Sequence, residues 1–354
     1  MKVFGLMRNT VYYNFKFDKL PLIKIANIEL TNRCNMQCVF CPANNPDVKG
    51  YIQREKKDMD LKDFEAILTR YKKYLDVVSI AWHGESLLHP HFEEIIMLLK
   101  KHNVKYCFDT NGSLVSKYIK IFEDYPPEYI EFSLYTVNPE KFKELTKFGD
   151  VSLMLDGINK FLEIKKQKKV KTTLIIRTMK MFGYEDLIEE VKEYFKGKDV
   201  ILTEAILNSW SGRVDIEKFG DAANHLFHFQ YCFKPFNNCI IGSDLGVYVC
   251  CNHEEVPMGY LNESSLEDIW NSEKYQEIRK NILEGNMKEN AICKYCDYAN
   301  FASIMDRPSL LFMFRKKFWN KFLFGLGLFK TENEPEVLKK TIEKGALKSE
   351  PQKH

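Results

Sequence analysis

The chain has 354 residues, of which 45% are hydrophobic and 14% aromatic, so it can bury the core of a large α/β domain plus a smaller one and is not disordered. Its formal net charge of +3 is too close to balance to indicate binding to nucleic acid. No secretory signal and no apolar run of about 18 residues are visible, so a cytoplasmic protein is expected.

After an N-terminal extension at 1–23, six apolar runs alternate with amphipathic helical stretches as far as 220. The strand-like runs are KIANIELT, VVSIAWHG, VKYCFDT, YIEFSLYT, VKTTLIIRT and VILTEAILN. Six βα units in succession predict parallel strands with helical crossovers. They are too few for a closed eight-stranded barrel, so the pattern allows an open partial barrel or a doubly wound sheet over 24–220.

Cys34, Cys38 and Cys41 follow the first strand at the spacing C-x3-C-x2-C, at the edge where parallel α/β folds bind ligands. In a chain with ten cysteines and no secretory signal, this grouping favours a metal or a cluster over disulfides. Three thiolates can hold three irons of a [4Fe–4S] cubane and leave the fourth iron open, which is a catalytic feature. The alternatives are a zinc knuckle completed by a distant residue and a chance grouping.

With this motif the sequence resembles the radical S-adenosylmethionine (SAM) superfamily. The resemblance implies that the three cysteines hold a [4Fe–4S] cluster and that SAM chelates the open iron through its amino and carboxylate groups. One electron then cleaves SAM to methionine and a 5′-deoxyadenosyl radical, which removes a hydrogen atom from the substrate. The expected fold is α/β, a partial (β/α)6 TIM-like barrel, and the expected partner is an external electron donor such as flavodoxin or ferredoxin.

Two motifs beside the cysteines match the same family. Phe40, before the last cysteine, is the aromatic residue that the family packs there. The stretch HGESLLHP at 83–90 resembles the glycine–glutamate motif that takes the SAM amino group, which assigns that role to Gly84 and Glu85. A glutamate suits an ammonium ligand, and glycine allows close backbone approach. The usual proline is replaced here by Ser86, a departure from the pattern.

The later strands supply three more candidates for contacts with SAM. Ser133 in IEFSLYT stands where fourth-strand residues of the family touch the ribose or the carboxylate. Arg177 in LIIRT either pairs with the SAM carboxylate or forms a structural ion pair, because a charge on an apolar strand needs a partner. Asn208 in LNSWSG follows the sixth strand, where the family often contacts adenosine. The stretch FDTNGSLV at 108–115 resembles the third-strand turn of the family, or is an ordinary Asn-Gly turn.

The pattern changes after the barrel, and 221–300 is predicted to be a small cluster-binding domain. Its pieces YCFKPFNNC, GVYVCCNHEE and CKYC resemble the SPASM/Twitch extension, which binds one or two auxiliary clusters. Because no cysteine follows Cys296, one auxiliary [4Fe–4S] cluster is the limit. The resemblance assigns its ligands as Cys232, Cys250, Cys293 and Cys296. Cys251 is the alternative to Cys250, Cys239 is left over, and a structural zinc at these four cysteines remains open.

An auxiliary cluster near a substrate radical can accept a second electron, so we predict an oxidoreductase acting on a sugar, cyclitol or glycan. Oxidation of an alcohol also needs a base, and Asp109 and Glu204 are candidates because both lie near predicted strand ends. One alternative is a peptide or protein maturase, although the 33 residues before Cys34 are too few for the leader-binding domain that such enzymes often carry. The other is a non-catalytic iron–sulfur or zinc protein, against which the glycine–glutamate motif argues.

The C-terminal part, 301–330, is predicted to be a basic and aromatic amphipathic helix, centred on SLLFMFRKKFWNKFLFGLGLFK at 309–330. Basic residues opposite Phe and Trp suit the interface of an anionic membrane, which would make the protein peripherally membrane-associated. The competing interpretation is that this helix docks on the barrel or on a second subunit. The last segment, 331–354, is expected to be a mobile polar tail.

Overall fold

In the residues that the computed structural model describes, nine β-strands organise the fold. They are β1 (Lys24–Ile28), β2 (Val77–Ser79), β3 (Lys105–Thr110), β4 (Tyr129–Ser133), β5 (Thr173–Lys180), β6 (Ile201–Ile206), β7 (Asn238–Ile241), β8 (Gly246–Tyr248) and β9 (Gly259–Tyr260). The structure describes residues 24–181, 184–215, 232, 234–252, 256–284, 286, 289–290 and 293–296. These belong to the first of the two units into which the chain divides, Met1–Pro308 and Ser309–His354.

Strands β1 to β6 are parallel to their neighbours and lie side by side in chain order. A doubly wound sheet reverses its strand order at a switch point, whereas this part of the sheet runs from β6 to β1 without reversal. Winding in one direction is the topology of a barrel. The predicted α/β fold with a partial (β/α)6 barrel is therefore confirmed.

The crossovers between these strands contain amphipathic helices. The helices of the structure are α1 (Leu61–Arg70), α2 (Phe92–Lys101), α3 (Ile119–Asp124), α4 (Pro139–Thr146), α5 (Val151–Lys168), α6 (Glu185–Tyr194), α7 (Lys234–Asn237), α8 (Leu266–Trp270) and α9 (Glu273–Leu283). Helix α1 shows the pattern that drives their packing, since it buries Phe64, Ile67 and Leu68 at three- and four-residue spacing. Short capping side chains fix where helices begin: Asp150 accepts from the Ser152 N–H at 2.9 Å before α5.

The helices cover one face of the barrel sheet. On β3, the ring of Phe108 packs against Phe92 of α2 and Phe122 of α3, with centroids 6.2 and 5.7 Å away. Side chains alternate between the two faces of a strand, so the residues on either side of Phe108 face the other way. That opposite face, which we call the inner face, is the one on which the site is built.

The C-terminal hairpin extends the same sheet. Strand β7 pairs in parallel with β1, and β8 and β9 continue in antiparallel fashion. Ser243, in the turn between β7 and β8, donates from its N–H and its hydroxyl to Glu29 at 3.1 and 2.9 Å. Arg54 holds the same buried carboxylate through two contacts of 3.2 and 2.9 Å. This shared carboxylate attaches the thiol-rich C-terminal region to the edge of the barrel.

Within the described ranges, no helix is both long and apolar enough to cross a bilayer. The segments predicted at 1–23, 309–330 and 331–354 lie outside the described residues. The interfacial helix and the mobile tail therefore stay predictions.

Candidate active site

Three thiols meet in the loop that follows β1. Cys34, Cys38 and Cys41 are all half-buried. Burial, followed by the nearby carboxylate of Glu85, raises the pKa of Cys34 to about 12, and burial with the neighbouring thiolates raises the pKa of Cys38. Three thiolates in this position repel one another unless a cationic group lies among them, which is what an iron–sulfur cluster supplies. In the described part of the chain, no three His, Cys, Asp or Glu side chains converge closely enough for a single metal ion.

Contacts from two crossovers hold this cysteine loop, defined as residues 32–45. Two of its N–H groups donate to carbonyls at the end of α4: Gln37 to Thr146 at 3.1 Å and Val39 to Leu145 at 2.9 Å. From the turn after β3, the Asn111 amide donates to Asn35 Oδ1 at 2.7 Å and lies 3.8 Å from Cys34 Sγ. The TNG stretch therefore forms a turn and also contacts the cysteine loop, because the side chain of Asn111 reaches Asn35 and the thiol of Cys34.

Phe40 lies inside this loop as a packing residue. Its side chain is 4% exposed, and its ring meets Tyr135 edge-on with centroids 4.9 Å apart. It forms a small apolar cluster with Val48, Leu145 and other buried side chains. Phe40 can therefore order the segment between Cys38 and Cys41, while its contact with SAM stays a prediction.

Gly84 lies against the backbone of the cysteine loop. A Cβ atom built on it would stand 2.2 Å from the Thr31 carbonyl oxygen and 2.7 Å from the Arg33 carbonyl oxygen. The next N–H, that of Glu85, donates to the same Arg33 carbonyl at 2.8 Å. Only glycine permits this approach, so the requirement for glycine here arises from the loop that carries the first cysteine.

The Glu85 carboxylate is 2% exposed and accepts three hydrogen bonds. The Thr110 hydroxyl and the Leu87 N–H donate to Oε1 at 2.9 and 3.2 Å, and the Asn111 N–H donates to Oε2 at 2.7 Å. Burial nevertheless raises the pKa of Glu85 to about 7. A buried carboxylate held in this way gains stability when a cationic group approaches, which fits the predicted role towards an ammonium group.

A row of charged side chains lies on the inner face of β3, β4 and β5. Asp109 follows Phe108, so it projects from the inner face, where its side chain is exposed. Arg177 forks onto the carboxylate of Glu131. Burial lowers the pKa of Arg177, but the contacts with Glu131 and the charge of Asp109 outweigh it and raise that pKa. The geometry thus favours the ion-pair interpretation of Arg177, and Ser133 lies beside it in register on β4.

Glu204, the other candidate base, lies on the opposite side of the sheet from Asp109. It pairs in register with Thr178, which is one residue beyond the inward-facing Arg177. Its carboxylate binds Lys180 at 3.0 Å and Lys192 of α6 at 2.9 Å. Those contacts turn Glu204 towards the helices, so Asp109 is the candidate base that the geometry supports.

Asn208 begins a tight turn after β6. Its Oδ1 accepts from the Trp210 N–H at 2.9 Å. The next residues, Trp210, Ser211 and Gly212, have φ angles of 50°, 59° and 83°. The side-chain amide therefore shapes the turn, and its contact with adenosine stays a prediction.

Five thiols of the C-terminal region influence one another electrostatically, where the resemblance assigns four. They belong to Cys232, Cys250, Cys251, Cys293 and Cys296. Burial raises the pKa of Cys232 to about 11 and that of Cys293 to about 12. Lys234 Nζ donates to Cys251 Sγ at 3.1 Å, so Cys251 faces the same group and stays an alternative to Cys250.

Cys239, the cysteine left over, belongs to the core. It lies on β7, is 0% exposed and stands in register with Ile25 of β1. Burial alone raises its pKa, without a contribution from other thiols. Cys239 therefore serves as a packing residue of the sheet.

Two family models match this chain. The radical SAM superfamily matches residues 28–202, which include the cysteine loop, and the iron–sulfur cluster-binding SPASM domain matches residues 232–297, which include the five C-terminal thiols. The chain belongs to the radical SAM superfamily.

The chain is also similar to curated proteins in sequence and to solved structures in fold. A probable GTP 3′,8-cyclase of Methanocaldococcus jannaschii is 31% identical over 144 residues, 40% of this chain and 46% of that protein. The chain spans about half the length of the first curated relatives that it matches. SuiB of Streptococcus suis bound to its precursor peptide has a TM-score of 0.61 at 16% identity, with 85% of this chain and 77% of that chain covered. BtrN in complex with AdoMet and 2-DOIA has a TM-score of 0.51 at 17% identity, with 78% and 93% covered.

This radical SAM enzyme uses a [4Fe–4S] cluster together with SAM, and its SPASM domain binds an auxiliary iron–sulfur cluster. The donor sets fit both groups, because each consists of thiols near enough to influence one another electrostatically. Burial raises the pKa of five of them: Cys34, Cys38, Cys232, Cys250 and Cys293. The assignment of individual ligands stays our proposal. Cys34, Cys38 and Cys41 would hold the first cluster, and four of the five C-terminal thiols would hold the auxiliary one.

Anaerobically reconstituted protein is expected to contain about eight irons per chain, two cubanes of four. The double substitution Cys293→Ala and Cys296→Ala should lower this value to about four, because a cluster does not survive the loss of two ligands. Metal analysis checks the result. A wild-type value near four that the substitutions leave unchanged, or zinc in place of iron, would remove the auxiliary [4Fe–4S] cluster. Cys250→Ala and Cys251→Ala, compared singly, identify the fourth ligand.

Two residues of this site escaped the sequence interpretation. Glu131 was not singled out, although a carboxylate within the apolar strand YIEFS, like Arg177 in LIIRT, signals a need for a partner. Asn111 was noted only as part of a turn. Nothing in the sequence indicates that its side chain reaches the cysteine loop, because that contact joins residues 76 or 77 positions apart.

Proposed function

We propose that this radical SAM enzyme oxidises a hydroxyl-bearing carbon of a sugar, cyclitol or glycan to a carbonyl, with the auxiliary cluster as the acceptor of the second electron. The observation that carries the proposal is Asp109, an exposed carboxylate on the inner face beside a Glu131–Arg177 pair that is already neutralised. An exposed carboxylate in this row can reach a bound substrate and is suited to take the proton of its hydroxyl.

The cofactors bring one kind of chemistry to this site: the [4Fe–4S] cluster, when bound, supplies the electron that converts SAM to methionine and a 5′-deoxyadenosyl radical. The protein's part begins with orientation. Glu85 is the acceptor we propose for the SAM amino group, and Gly84 lets the segment after β2 approach the cysteine loop closely enough to present that carboxylate. Ser133 and Asn208 are proposed contacts of the ribose or carboxylate and of adenosine.

The atoms and electrons of the proposed oxidation are accounted for by SAM, Asp109 and the auxiliary cluster. The carbon–hydrogen bond of the substrate breaks, and its hydrogen atom ends on 5′-deoxyadenosine. Asp109 would take the hydroxyl proton, and the auxiliary cluster, when bound, would supply the acceptor for the remaining electron, so that the carbon would lose two electrons in all. An external one-electron donor such as flavodoxin or ferredoxin supplies the electron consumed by SAM.

A peptide or protein maturase is the second candidate. Its support is the fold shared with SuiB, whose structure contains a precursor peptide, whereas the fold shared with BtrN, seen with 2-DOIA, supports a small-molecule substrate. The charged inner-face row favours the small polyol, because Asp109 and the Glu131–Arg177 pair offer polar partners for hydroxyl groups.

The test compares Asp109→Asn with Glu204→Gln on a panel of sugars, aminocyclitols, sugar nucleotides, GTP and short peptides, assayed with dithionite. We expect a polyol to yield a carbonyl product, and Asp109→Asn to lower that rate about a hundredfold, as loss of a general base does. Glu204→Gln, on the helix-facing side, should keep the wild-type rate. Product mass and 5′-deoxyadenosine are measured together.

Two outcomes would contradict the proposal. Oxidation at the wild-type rate by Asp109→Asn would exclude this carboxylate as the base. If only a peptide yields a product, the proposed oxidation of a sugar, cyclitol or glycan is wrong and the peptide maturase is the better assignment.

A further inference from the structure

Lys56 lies between the cysteine loop and α1, and its ammonium group binds both ends of that loop. Nζ donates to the Asn32 carbonyl at 3.0 Å, to the Ala43 carbonyl at 3.0 Å and to Asn44 Oδ1 at 2.8 Å. Asn32 precedes the first cysteine, and Ala43 and Asn44 follow the last one. We propose that Lys56 is a positioning residue that fastens the cysteine loop and shifts the SAM-binding cluster towards its reduced state.

The backbone around Lys56 is itself fixed to one end of the loop. Asn32 Nδ2 donates to the Glu55 carbonyl at 2.7 Å, and the Lys57 N–H donates to Asn32 Oδ1 at 2.9 Å. The Asn32 N–H reaches the Lys57 carbonyl at 3.3 Å. These bonds fix the backbone of Lys56 beside Asn32, and its side chain reaches Ala43 at the other end of the loop. The lysine therefore joins the two ends of the cysteine loop.

The ammonium group has no donor left for a substrate. A lysine carries three N–H donors, and all three find an oxygen here. The residue as a whole is exposed, although its ammonium group is bound. Such saturation argues for a role towards the loop and against direct substrate binding.

The ammonium group of Lys56 lies near the cysteines of the loop, because the Asn32 and Ala43 carbonyls that it binds belong to residues two positions from Cys34 and Cys41. Burial lowers the pKa of Lys56, and the thiolates of Cys41 and Cys34 together with the carboxylate of Glu29 act against that shift. All three acceptors of its ammonium group are uncharged oxygens, unlike those of Arg54, which binds the carboxylate of Glu29. Because reduction adds a negative charge to a cluster, a nearby cation favours the reduced form.

The test uses Lys56→Met, Lys56→Gln and the control Lys57→Met, an exposed lysine one residue away. Redox titration followed by electron paramagnetic resonance gives the potential of the cluster whose signal changes when SAM is added. A second assay measures the rate of iron loss to a chelator. The auxiliary cluster in the same molecule reports whether each variant has folded.

For Lys56→Met we expect the equilibrium between the oxidised and reduced SAM-binding cluster to shift tenfold towards the oxidised form. For one electron this makes the reduction potential about 59 mV more negative. We also expect severalfold faster iron loss. Lys56→Gln, neutral but still a donor, should show the same potential shift with slower iron loss than Lys56→Met. Lys57→Met should match the wild type in both.

A wild-type potential in both Lys56 variants would overturn the electrostatic part, and wild-type iron loss in Lys56→Met would overturn the loop-closing part. If Lys56→Met lacks the signal of the auxiliary cluster, that variant has not folded. The potential and the rate of iron loss of Lys56→Gln then test the proposal. The inference rests on the proposed ligands of the first cluster but needs no substrate. Its failure is therefore distinct from failure of the oxidation, and a wild type without a SAM-responsive signal would instead refute the ligand assignment.

Discussion

Replacement of Cys34, Cys38 and Cys41 together by alanine is expected to abolish 5′-deoxyadenosine formation and to remove about four irons per chain. The reason lies in the donor set. The three half-buried thiols are close enough for their charges to interact, and the sequence places them on one loop at the end of β1. Without them no group is left there to hold three irons.

The matched control is Cys239→Ala. Cys239 is also a cysteine of this sheet, but it is 0% exposed and packs in the core beside β1. Its replacement should leave iron content and SAM cleavage unchanged and cost about 1 kcal/mol of stability, a typical value for a small loss of core packing. Continued 5′-deoxyadenosine formation by the triple variant would show that the assigned site is not where SAM is cleaved.

Gly84→Ala is expected to cause the second largest loss, about tenfold in SAM affinity and a further hundredfold in the rate of SAM cleavage. The new Cβ would stand 2.2 Å from the Thr31 oxygen and 2.7 Å from the Arg33 oxygen. Both are backbone atoms and cannot rotate away, so the loop that carries Cys34 must shift. A displacement of about 1 Å at a reacting centre is enough to lower a rate a hundredfold.

The shift would also stretch the 2.8 Å bond from the Glu85 N–H to Arg33, and so move the carboxylate proposed for the SAM amino group. Equilibrium binding of SAM and single-turnover cleavage separate the two losses. Gly197→Ala is the control, since its Cβ would meet nothing within 4 Å and only its φ of +75° is unfavourable. That variant should lose stability without losing SAM affinity. Equal affinity in Gly84→Ala and the wild type would mean that the cysteine loop does not depend on this contact.

Much of the fold followed from local sequence patterns. All six strand-like runs became strands of the barrel in the order of the chain, because apolar runs and amphipathic stretches each specify their own periodicity. The cysteine spacing likewise placed three thiols on one loop, because residues that lie within eight positions of one another after a strand belong to the same loop. The glycine–glutamate motif and the hairpin before Cys250 likewise depend on few neighbouring residues.

The face and partner of each side chain were decided by tertiary structure. Asp109 and Glu204 look alike in the sequence, as acidic residues near strand ends. Parallel pairing set Asp109 on the inner face and turned Glu204 to Lys192 of α6. Alternation along a strand separates two faces, but only the packing of helices on one of them determines which face is inward.

The sequence by itself thus determined the superfamily, the barrel strands and the two groups of cysteines, all of which depend on short spacings along the chain. Tertiary structure alone decided that Arg177 pairs with Glu131, that Cys239 packs in the core while Cys251 joins the thiol group, and that Lys56 closes the cysteine loop. These contacts join strands and loops that are distant in the chain. Their geometry follows from strand register and close packing, which the complete fold fixes and a local pattern does not contain.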